Sequence, residues 1–537
     1  MAQLTGGQAL ARSLVREGVD TIFLLPGVQL DWALDALYDE QDAITLYHTR
    51  HEQATAYMAD GYARTTGKIG TAMVVPGPGL LNATAALSTA YACSSPVLCV
   101  TGQINSRMIE QGVGQLHEIP NQLGMIGSVT KWAARAMTPA EVPALVREAF
   151  RQLRSGRPRP VEIEIPPDIL AMTGEVELLD RAPVERSAGD PDLLKQAADA
   201  LRKAERPVIC VGGGVLSSES WPELREFATM LEAPVVMSSN ARGALSDRDY
   251  RAQTGLSGQK LLPEADVVLA VGTRFVHPKE WGLAEGATVL RIDADEREVA
   301  RAPQPAVGIV GDAKAGLAAL VAALDGIGPR PSREAELRAC KREAEDQLFE
   351  LQPQHAFAHA IRAELPDDGI LVNDVTQLSF FASAGFPVYE PRGMIGPGYQ
   401  GTLGCGFATA LGAQVGNPGR KVVCVSGDGG FMYNVQELAT MKHHNIPLVT
   451  ILFNDNAFGN VKRIQRENYR GRTIVSDLTN PDFIKLAESF GIAGMRASGS
   501  DALQGTLKEA LAMNEPVLIE VPVGEMPSPW RLIMRTL

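Results

Sequence analysis

The sequence predicts an α/β protein with three doubly wound parallel-sheet domains. Its 537 residues exceed what one hydrophobic core usually holds, and typical domain sizes divide them into about three units. Short β-branched runs alternate with helical segments along most of the chain, which is the pattern of parallel sheets covered by helices. Irregular segments interrupt the alternation at 173–190 and 326–332, so we predict domains at 1–175, 190–328 and 350–537.

The first domain shows this alternation clearly. Apolar β-branched runs predict strands, and the segments between them have the apolar spacing of helices. The expected strands are 21–25, 44–48, 70–75 and 97–101. The expected helices are 30–38, 52–65 and 79–92.

The central domain repeats the pattern and is predicted to be Rossmann-like. Its expected strands are 208–211, 235–237, 267–271 and 289–292. Gly212, Gly213 and Gly214 follow the first of these strands, but they do not form the Gly-x-Gly-x-x-Gly sequence of a dinucleotide loop. The sequence therefore leaves open whether this domain binds a nucleotide. A charged helix at 333–351 leads to the third domain.

Two acidic strand ends mark the third domain. One apolar run ends in Gly427-Asp428-Gly429, and the next ends in Asn454-Asp455-Asn456. A helix is expected between them at 432–444. Because parallel strands end at the same sheet edge, both acids should meet where open α/β sheets bind ligands. Their oxygens suit a magnesium ion that holds a diphosphate, with the glycines and a helix start near Phe431 close to the phosphates. The alternative is an ordinary turn with solvated acids.

These two segments resemble the metal–diphosphate motif of thiamin diphosphate enzymes, and the nearest group is the acetolactate synthase, pyruvate oxidase and benzoylformate decarboxylase family. The resemblance implies thiamin diphosphate and Mg²⁺ as cofactors, bound between a pyrimidine-binding first domain and a diphosphate-binding third domain. Asp428, Asp455 and the carbonyl of Ala457 are the implied metal ligands, although members usually have Asn at position 455. The other implied cofactor contacts in this motif are Gly427, Gly429, Gly430 and Phe458.

Three further segments resemble parts of the same site. Arg50-His51-Glu52-Gln53 is similar to the catalytic glutamate segment, which implies that Glu52 hydrogen-bonds the aminopyrimidine and promotes loss of the thiazolium C2 proton. Its alternative is an ordinary acid in the first turn of a helix. Leu403, in the glycine-rich segment that starts at Gly401, matches the apolar wedge beneath the thiazolium. The diphosphate loop is matched by Val375, Thr376 and Gln377.

The loops around Gly27 and Asn82 match those that approach the reacting end of the cofactor, although Asn82 could instead cap the following helix. Val28 and Val75 stand where benzoylformate decarboxylase-like enzymes have a serine and a histidine, so few acid–base groups are expected there. On the substrate side the resemblance implies Gln115 and His117. A surface-loop histidine is the alternative for His117.

Two departures from acetolactate synthases imply a different substrate or acceptor. Pro278, after Gly272-Thr273-Arg274-Phe275, stands in place of an arginine that grips the second oxo acid. Ile464 stands in place of a tryptophan that disfavours larger acceptors. The neighbouring His277 has no assigned role, and the segment 526–531 is either a lid over the site or an ordinary tail.

Composition excludes several partners. The net charge of −13 without a basic block argues against nucleic acid. The sequence has neither a leader-like N-terminus nor a long apolar stretch, and its six unpatterned cysteines suggest a reducing compartment, so a cytoplasmic protein without membrane segments is expected. His355 and His359 have the spacing of a metal pair, but no acidic or cysteine partner is evident, and we predict no zinc site.

The resemblance implies decarboxylation of a 2-oxo acid, with transfer of the resulting carbanion to a proton or to a second carbonyl. The enzyme would be a lyase or transferase and a homodimer or homotetramer. One alternative is a carbon–carbon lyase acting on a 2-hydroxyacyl thioester or a diketone. Another is a catalytically silent regulatory paralogue. Whether the central domain holds FAD, ADP or neither is left open.

Overall fold

The computed structural model describes residues 1–276, 278 and 281–533. The described chain forms three six-stranded parallel sheets with interleaved helices and one short antiparallel pair of strands. The predicted α/β class with three doubly wound parallel sheets is therefore confirmed. Among the helices of the described ranges, none combines the length and the apolar character that crossing a membrane requires.

The first sheet has the strand order β3-β2-β4-β5-β7-β6. Its central strands are buried on both faces, as expected when helices cover a parallel sheet. The strands of this region are β1 Ala2–Thr5, β2 Thr21–Leu24, β3 Thr45–His48, β4 Gly70–Val74, β5 Val97–Gly102, β6 Trp132–Arg135, β7 Val161–Ile165 and β8 Thr173–Val176. The helices are α1 Gly6–Glu17, α2 Asp31–Tyr38, α3 Glu52–Thr66, α4 Pro78–Cys93, α5 Gln122–Ile126, α6 Val142–Arg154 and α7 Pro167–Ala171.

The central sheet has the order β11-β10-β9-β12-β13-β14. Its strands are β9 Pro207–Val211, β10 Val235–Met237, β11 Ala252–Thr254, β12 Val267–Val271, β13 Thr288–Asp293 and β14 Val307–Val310. Its helices are α8 Pro191–Lys203, α9 Gly213–Ser217, α10 Trp221–Leu231, α11 Gly255–Leu261, α12 Glu296–Val299 and α13 Ala313–Ala323.

The third sheet has the order β16-β15-β17-β18-β20-β19, and the charged helix α14 leads into it. The helices are α14 Glu334–Phe349, α15 Gln354–Glu364, α16 Gln377–Gly385, α17 Gly406–Gly416, α18 Asp428–Phe431, α19 Leu438–His443, α20 Gly459–Asn468, α21 Phe483–Ser489, α22 Ser500–Met513 and α23 Trp530–Ile533. The strands are β15 Ile370–Asn373, β16 Met394–Ile395, β17 Val422–Gly427, β18 Val449–Asn454, β19 Ala493–Arg496 and β20 Val517–Pro522.

Two local predictions are wrong. The segment expected to be an irregular linker from residue 173 begins with β8, which pairs antiparallel with β1 at the start of the chain. Pairing between segments this distant leaves no local signal. The single helix expected at 432–444 is instead a turn at Asn434, a 3-10 helix at Val435–Glu437 and α19. The Asn434 side chain donates to the carbonyl of Gly404 at 2.7 Å, which holds the chain in this turn.

A close helix crossing joins the first and third domains. A Cβ on Gly61 of α3 would overlap the carbonyl oxygen of Thr409 in α17, and a Cβ on Gly412 of α17 would overlap that of Met58 in α3. Both helices are almost entirely buried in one core that contains residues of both domains. Only glycine permits backbones to approach this closely.

Three histidines lie at another contact between these domains. The backbone N–H of His48, at the end of β3, donates to Nε2 of His444 at 3.1 Å, and the ring of His443 packs against both. Burial lowers the pKa of His444 to about 4, with further contributions from His48 and His443. The His444 ring is therefore neutral in the folded protein at neutral pH.

This depressed pKa predicts a loss of stability in acid. An unfolded histidine has a pKa of about 6.5. The stability contributed by the neutral His444 ring is therefore complete above that pH and is lost as pH falls towards 4. The shift corresponds to about 3 kcal/mol, which partial exposure reduces to about 1–2 kcal/mol. His444→Gln keeps an acceptor for His48 without a titrating ring. Its thermal midpoint should fall less than that of the wild type between about pH 7.5 and 5, by roughly 2–4 °C. Equal falls in the two proteins would contradict the assignment.

Candidate active site

Glu52 opens α3 and is buried in the first domain. Only 9% of its surface is exposed. Its Oε2 accepts a hydrogen bond from Asn82 Nδ2 at 3.0 Å. Asn82 lies inside α4, and no side chain caps that helix, so the alternative that Asn82 is a cap is wrong. Val75 packs beside them, and its methyl groups fill the space that a Cβ would need at Gly27 and Gly79.

Buried hydrogen bonds hold the loop at Gly77, which precedes α4. The N–H of Gly77 donates to Gln122 Oε1 at 3.0 Å, and Gln122 Nε2 donates to Glu164 Oε2 at 2.6 Å. Glu164 is fully buried on β7 and pairs with Arg135. Gln122 therefore connects the Gly77 loop to the Glu164–Arg135 ion pair in the sheet, and this connection restricts the movement of the loop. Gln122 and Glu164 were not predicted as site residues.

Gln115 and His117 lie in a loop that packs on the same part of the first domain. His117 Nδ1 is 3.1 Å from Gln29 Oε1, and its backbone carbonyl occupies the place of a Cβ at Gly77. The N–H of Gln115 donates to Glu118 at 2.8 Å while its side chain is exposed. Val28, next to Gln29, is 62% exposed. These contacts keep His117 beside the Gly27 and Gly77 loops.

In the third domain, a buried aspartate that was not predicted organises the loops at the sheet edge. Asp374 Oδ1 accepts the N–H groups of Val375 at 2.7 Å and Gly404 at 3.0 Å. Its Oδ2 accepts the hydroxyl of Ser426 at 3.0 Å. Burial raises the pKa of Asp374, and these donors oppose the shift. One carboxyl group therefore joins the three loops that follow β15, precede α17 and end β17.

The predicted metal ligands lie together at the ends of β17 and β18. Burial raises the pKa of Asp455 to about 6, and the nearby carboxylate of Asp428 raises it further. Burial also raises the pKa of Asp428, which is 2% exposed. Ala457 continues the same loop, and its N–H donates to Asp455 Oδ1 at 3.2 Å. Asp428 is buried and Asp455 is half-buried, and two carboxylates this close repel each other, so a bound divalent cation would remove this cost.

Asn480 lies at the same sheet edge and was not predicted as a site residue. Its Nδ2 donates to Asp428 Oδ2 at 2.6 Å and lies 3.1 Å from Asn454 Oδ1 and 3.3 Å from Asn456 Oδ1. One amide thus fixes the orientation of Asp428 and joins it to the loop that carries Asp455. Supporting groups of this kind commonly orient metal ligands.

The remaining predicted cofactor contacts line the same edge. Thr376 caps α16, and its methyl group lies 3.5 Å from where a Cβ would stand on Gly427. Gln377 Nε2 donates to Asn460 Oδ1 at 3.2 Å, and its buried Oε1 has no partner. Leu403 lies against Gly430, and the ring of Phe458 lies against Gly429. The exposed Gly401 has a φ of 59° at the start of this loop.

The helix at this edge starts earlier than expected. It is the four-residue α18, which begins at Asp428 instead of near Phe431. The N–H groups of Gly429 and Gly430 are in its first turn, where helical backbone donors have no intrahelical acceptors. A diphosphate beside Asp428 would meet these donors, but so short a helix contributes little dipole.

A large cavity lies elsewhere in the described part of the chain. It has a volume of about 1400 Å³ and is lined by all three domains, including Gly212, Asn240, Arg274 and Tyr399. The Arg274 guanidinium lies over the Tyr399 ring at 4.1 Å. Trp530 of α23 also lines it and stacks on Phe380 at 4.9 Å, which is where the C-terminal segment packs. His277 lies outside the described residues.

Three family profiles match the chain in order. The N-terminal TPP binding domain of thiamine pyrophosphate enzymes matches residues 4–125, the central domain matches 194–320, and the C-terminal TPP binding domain matches 374–521. A probable acetolactate synthase large subunit of Methanocaldococcus jannaschii is 34% identical, over 97% of this chain and 92% of that protein. The chain belongs to the thiamine pyrophosphate enzyme family. The resemblance inferred from the two acidic strand ends is confirmed.

Other relatives of this thiamine pyrophosphate enzyme have different names. A probable 2-ketoarginine decarboxylase of Pseudomonas aeruginosa is 36% identical, over 96% of this chain and 94% of that protein. The large subunit of acetolactate synthase isozyme 2 of Escherichia coli is 33% identical, over 99% of this chain and 97% of that protein. The enzyme is therefore similar to proteins named for two different activities.

The residues present suit thiamin diphosphate. Asp428 and Asp455 lie close together without a salt bridge to either among the described residues, which suits a divalent cation that holds a diphosphate. Glu52 and Asn82 form a buried polar pair beside Val75, which suits the polar ring of the cofactor. No contact in the described part of the chain joins the Glu52 group directly to the Asp428 group.

We predict that Asn480→Ala weakens Mg²⁺-dependent binding of thiamin diphosphate about tenfold or more, because Asp428 loses the donor that orients it. Gln504→Ala on the exposed face of α22 is the matched control. Cofactor titrations followed by tryptophan fluorescence, at several Mg²⁺ concentrations, measure the effect. Wild-type affinity in Asn480→Ala would remove Asn480 from the metal site.

Proposed function

We propose that this enzyme decarboxylates a 2-oxo acid with thiamin diphosphate and Mg²⁺, and transfers the carbanion to a proton or to a second carbonyl. The observation that carries the proposal is the buried Glu52 carboxyl, held by Asn82 beside the aliphatic Val75. Such a group can exchange a proton with a heterocycle without competition from water. The names of the relatives support an oxo acid as substrate.

Each group of residues has a proposed task. Asp428, Asp455 and the carbonyl of Ala457 would bind Mg²⁺, and Asn480 would orient Asp428. The loops at Thr376, Gly401 and Gly429 would hold the diphosphate, with Leu403 beneath the thiazolium. When bound, thiamin diphosphate would supply the carbon that adds to the ketone. Its thiazolium ring would hold the electron pair that remains when carbon dioxide departs.

Glu52 would accept and return the proton that activates the cofactor, and Asn82 would keep its carboxyl in position. Gln115 and His117 would face the substrate. Val28 and Val75 offer no proton donor, so release of an aldehyde would depend on His117 or on water. This shortage favours transfer to a second carbonyl, whereas Pro278, in place of a carboxylate-binding arginine, disfavours an oxo acid as that acceptor.

A second copy of the chain is proposed to complete the site. The Glu52 and Asp428 groups lie in different domains without a direct contact within the described residues. Apolar side chains are exposed next to each group: Leu81 beside Asn82, and Tyr433 close to Asp428. Exposed apolar residues around a site are typical of a surface that another protein covers. We infer a dimer or tetramer in which each cofactor lies between two chains.

The cavity lined by all three domains is proposed as a second ligand site. Its volume exceeds what a small oxo acid needs. FAD, ADP or no nucleotide are the three alternatives. The absorption spectrum of the purified enzyme reveals a flavin, and nucleotide analysis of the denatured enzyme distinguishes ADP from an empty cavity.

The first experiment is NMR analysis of the products formed from pyruvate with thiamin diphosphate and Mg²⁺. Acetolactate would establish transfer to a second oxo acid despite Pro278. Acetaldehyde would establish simple decarboxylation. If neither forms, 2-ketoarginine and then 2-hydroxyacyl thioesters and diketones are tested, because these cover the decarboxylase relative and the lyase alternative. Failure with every class would favour the silent paralogue.

Glu52→Gln should keep the cofactor but lose product formation by at least about a hundredfold, because the amide cannot exchange the proton. Hydrogen–deuterium exchange at thiazolium C2 is the direct readout. Glu110→Gln in the exposed 106–111 segment is the control. Unchanged exchange in Glu52→Gln would overturn the role of Glu52.

Oligomer formation should be coupled to cofactor binding. A monomeric form of the enzyme should bind thiamin diphosphate at least about a hundredfold more weakly, since it offers only half of each site. Light scattering during a cofactor titration measures both quantities. A monomer that binds tightly would contradict a shared site.

A further inference from the structure

Three metal-binding side chains converge on the outer surface of the third domain. His355 and His359 are one turn apart on α15 and therefore lie on the same face of the helix. Glu345 on α14 faces both. Its Oε1 lies 3.0 Å from Nε2 of His355 and 3.2 Å from Nε2 of His359. The expectation that no acidic group completes the histidine pair is wrong, because Glu345 reaches it across the turn between the two helices.

The spacing of these donor atoms matches a zinc site. Zinc bonds nitrogen at about 2.0–2.1 Å and carboxylate oxygen at about 2.0–2.2 Å, so neighbouring ligand atoms in a tetrahedron lie about 3.3 Å apart. The two distances from Glu345 Oε1 are close to this value, and all three donor atoms lie within 4.8 Å of one another. Small side-chain rotations would place a metal among them.

The surroundings restrain the ligands and leave a path for the metal. His355 is mostly buried, and its ring meets the edges of Phe349 and Phe381 at 5.2 Å and 6.1 Å between centroids. His359 and Glu345 are each about half exposed. A metal can therefore enter from solvent and keep a water molecule as its fourth ligand.

We propose that Glu345, His355 and His359 form a site for a divalent transition metal, with Zn²⁺ as the ion that they fit best. Two neutral imidazoles and one carboxylate form a zinc ligand set, and the carboxylate offsets half of the metal's charge. In the absence of metal, Nε2–H of each ring donates to Glu345. On binding, each Nε2 lone pair would coordinate the metal and its proton would pass through water to Nδ1 of the same ring, so both imidazoles stay neutral and no net proton is released.

The cluster of His48, His443 and His444 is a weaker candidate. Nε2 of His444 is already engaged by the backbone N–H of His48. The cluster contains no carboxylate, and the positive charge of Arg50 acts on His48. It therefore serves as an internal comparison for the site on α14 and α15.

A metal at the proposed site would connect two domains through one helix. Leu337, near the start of α14, packs in a core cluster of the central domain, and Leu348, near its end, packs in the core of the third domain. The metal would fix the end of α14 to α15. His355 also touches α16, the helix capped by Thr376 at the proposed diphosphate loop. The site lies apart from Glu52 and Asp428 and does not depend on the proposed reaction.

The test is a Co²⁺ titration of the full-length enzyme, saturated with thiamin diphosphate and Mg²⁺ at about pH 7.5. Tetrahedral Co²⁺ has an intense visible absorption. Mg²⁺ does not displace Co²⁺ from nitrogen ligands, so the saturating Mg²⁺ leaves this signal unchanged. We expect one such Co²⁺ per chain, with competition by Zn²⁺. His359→Ala and Glu345→Gln should each weaken binding at least about tenfold, because each removes a ligand. His443→Ala, in the comparison cluster, should bind as the wild type does.

Each other outcome overturns the proposal. Equal Co²⁺ binding by the wild type, His359→Ala and Glu345→Gln would show that these side chains are not ligands. Loss of binding in His443→Ala alone would move the site to the other cluster. No tetrahedral absorption in the wild type would leave the three side chains as a hydrogen-bonded group. The two replaced side chains are half exposed, so the variants should fold, and circular dichroism verifies this.

Discussion

The close crossing of α3 and α17 is the constraint on which the rest of the structure depends. Gly61 and Gly412 let each backbone touch the other, so the two helices have essentially one permitted relative position. Glu52 stands at the start of α3, and the loop with Leu403 leads into α17. The crossing therefore sets where Glu52, the proposed proton-transfer group of one domain, lies relative to the proposed cofactor loops of the other domain in the same chain.

Around that crossing, buried polar groups hold the loops of the candidate site through hydrogen bonds to protein groups. Asp374 joins three loops through one carboxyl group, and Asn480 does the same for the acidic strand ends. Glu164 supports the Gly77 loop through Gln122. Buried charges cost free energy unless they are hydrogen-bonded, so these groups restrict the loops to conformations that satisfy them.

The sequence predicted the sheet architecture and the acidic strand ends because both leave local signals. The β-branched runs before Asp428 and Asp455 are such signals. Asp374, Asn480 and Glu345 were missed since their partners are distant in sequence and their residue types are common on surfaces. The break at Asn434 was missed for the same reason: its cause is a hydrogen bond to Gly404, which local helix propensity does not include.

The pairing of β1 with β8 has a consequence for how such chains evolve. It brings residues 2–5 beside residues 173–176, so the polypeptide enters and leaves the first domain at nearly the same point. A domain whose two ends adjoin can be exchanged, inserted or permuted without rerouting the rest of the chain. This end-to-end closure makes the first domain a transferable module, on which recombination could change the loops proposed to face the substrate while leaving the third domain and its acidic strand ends intact.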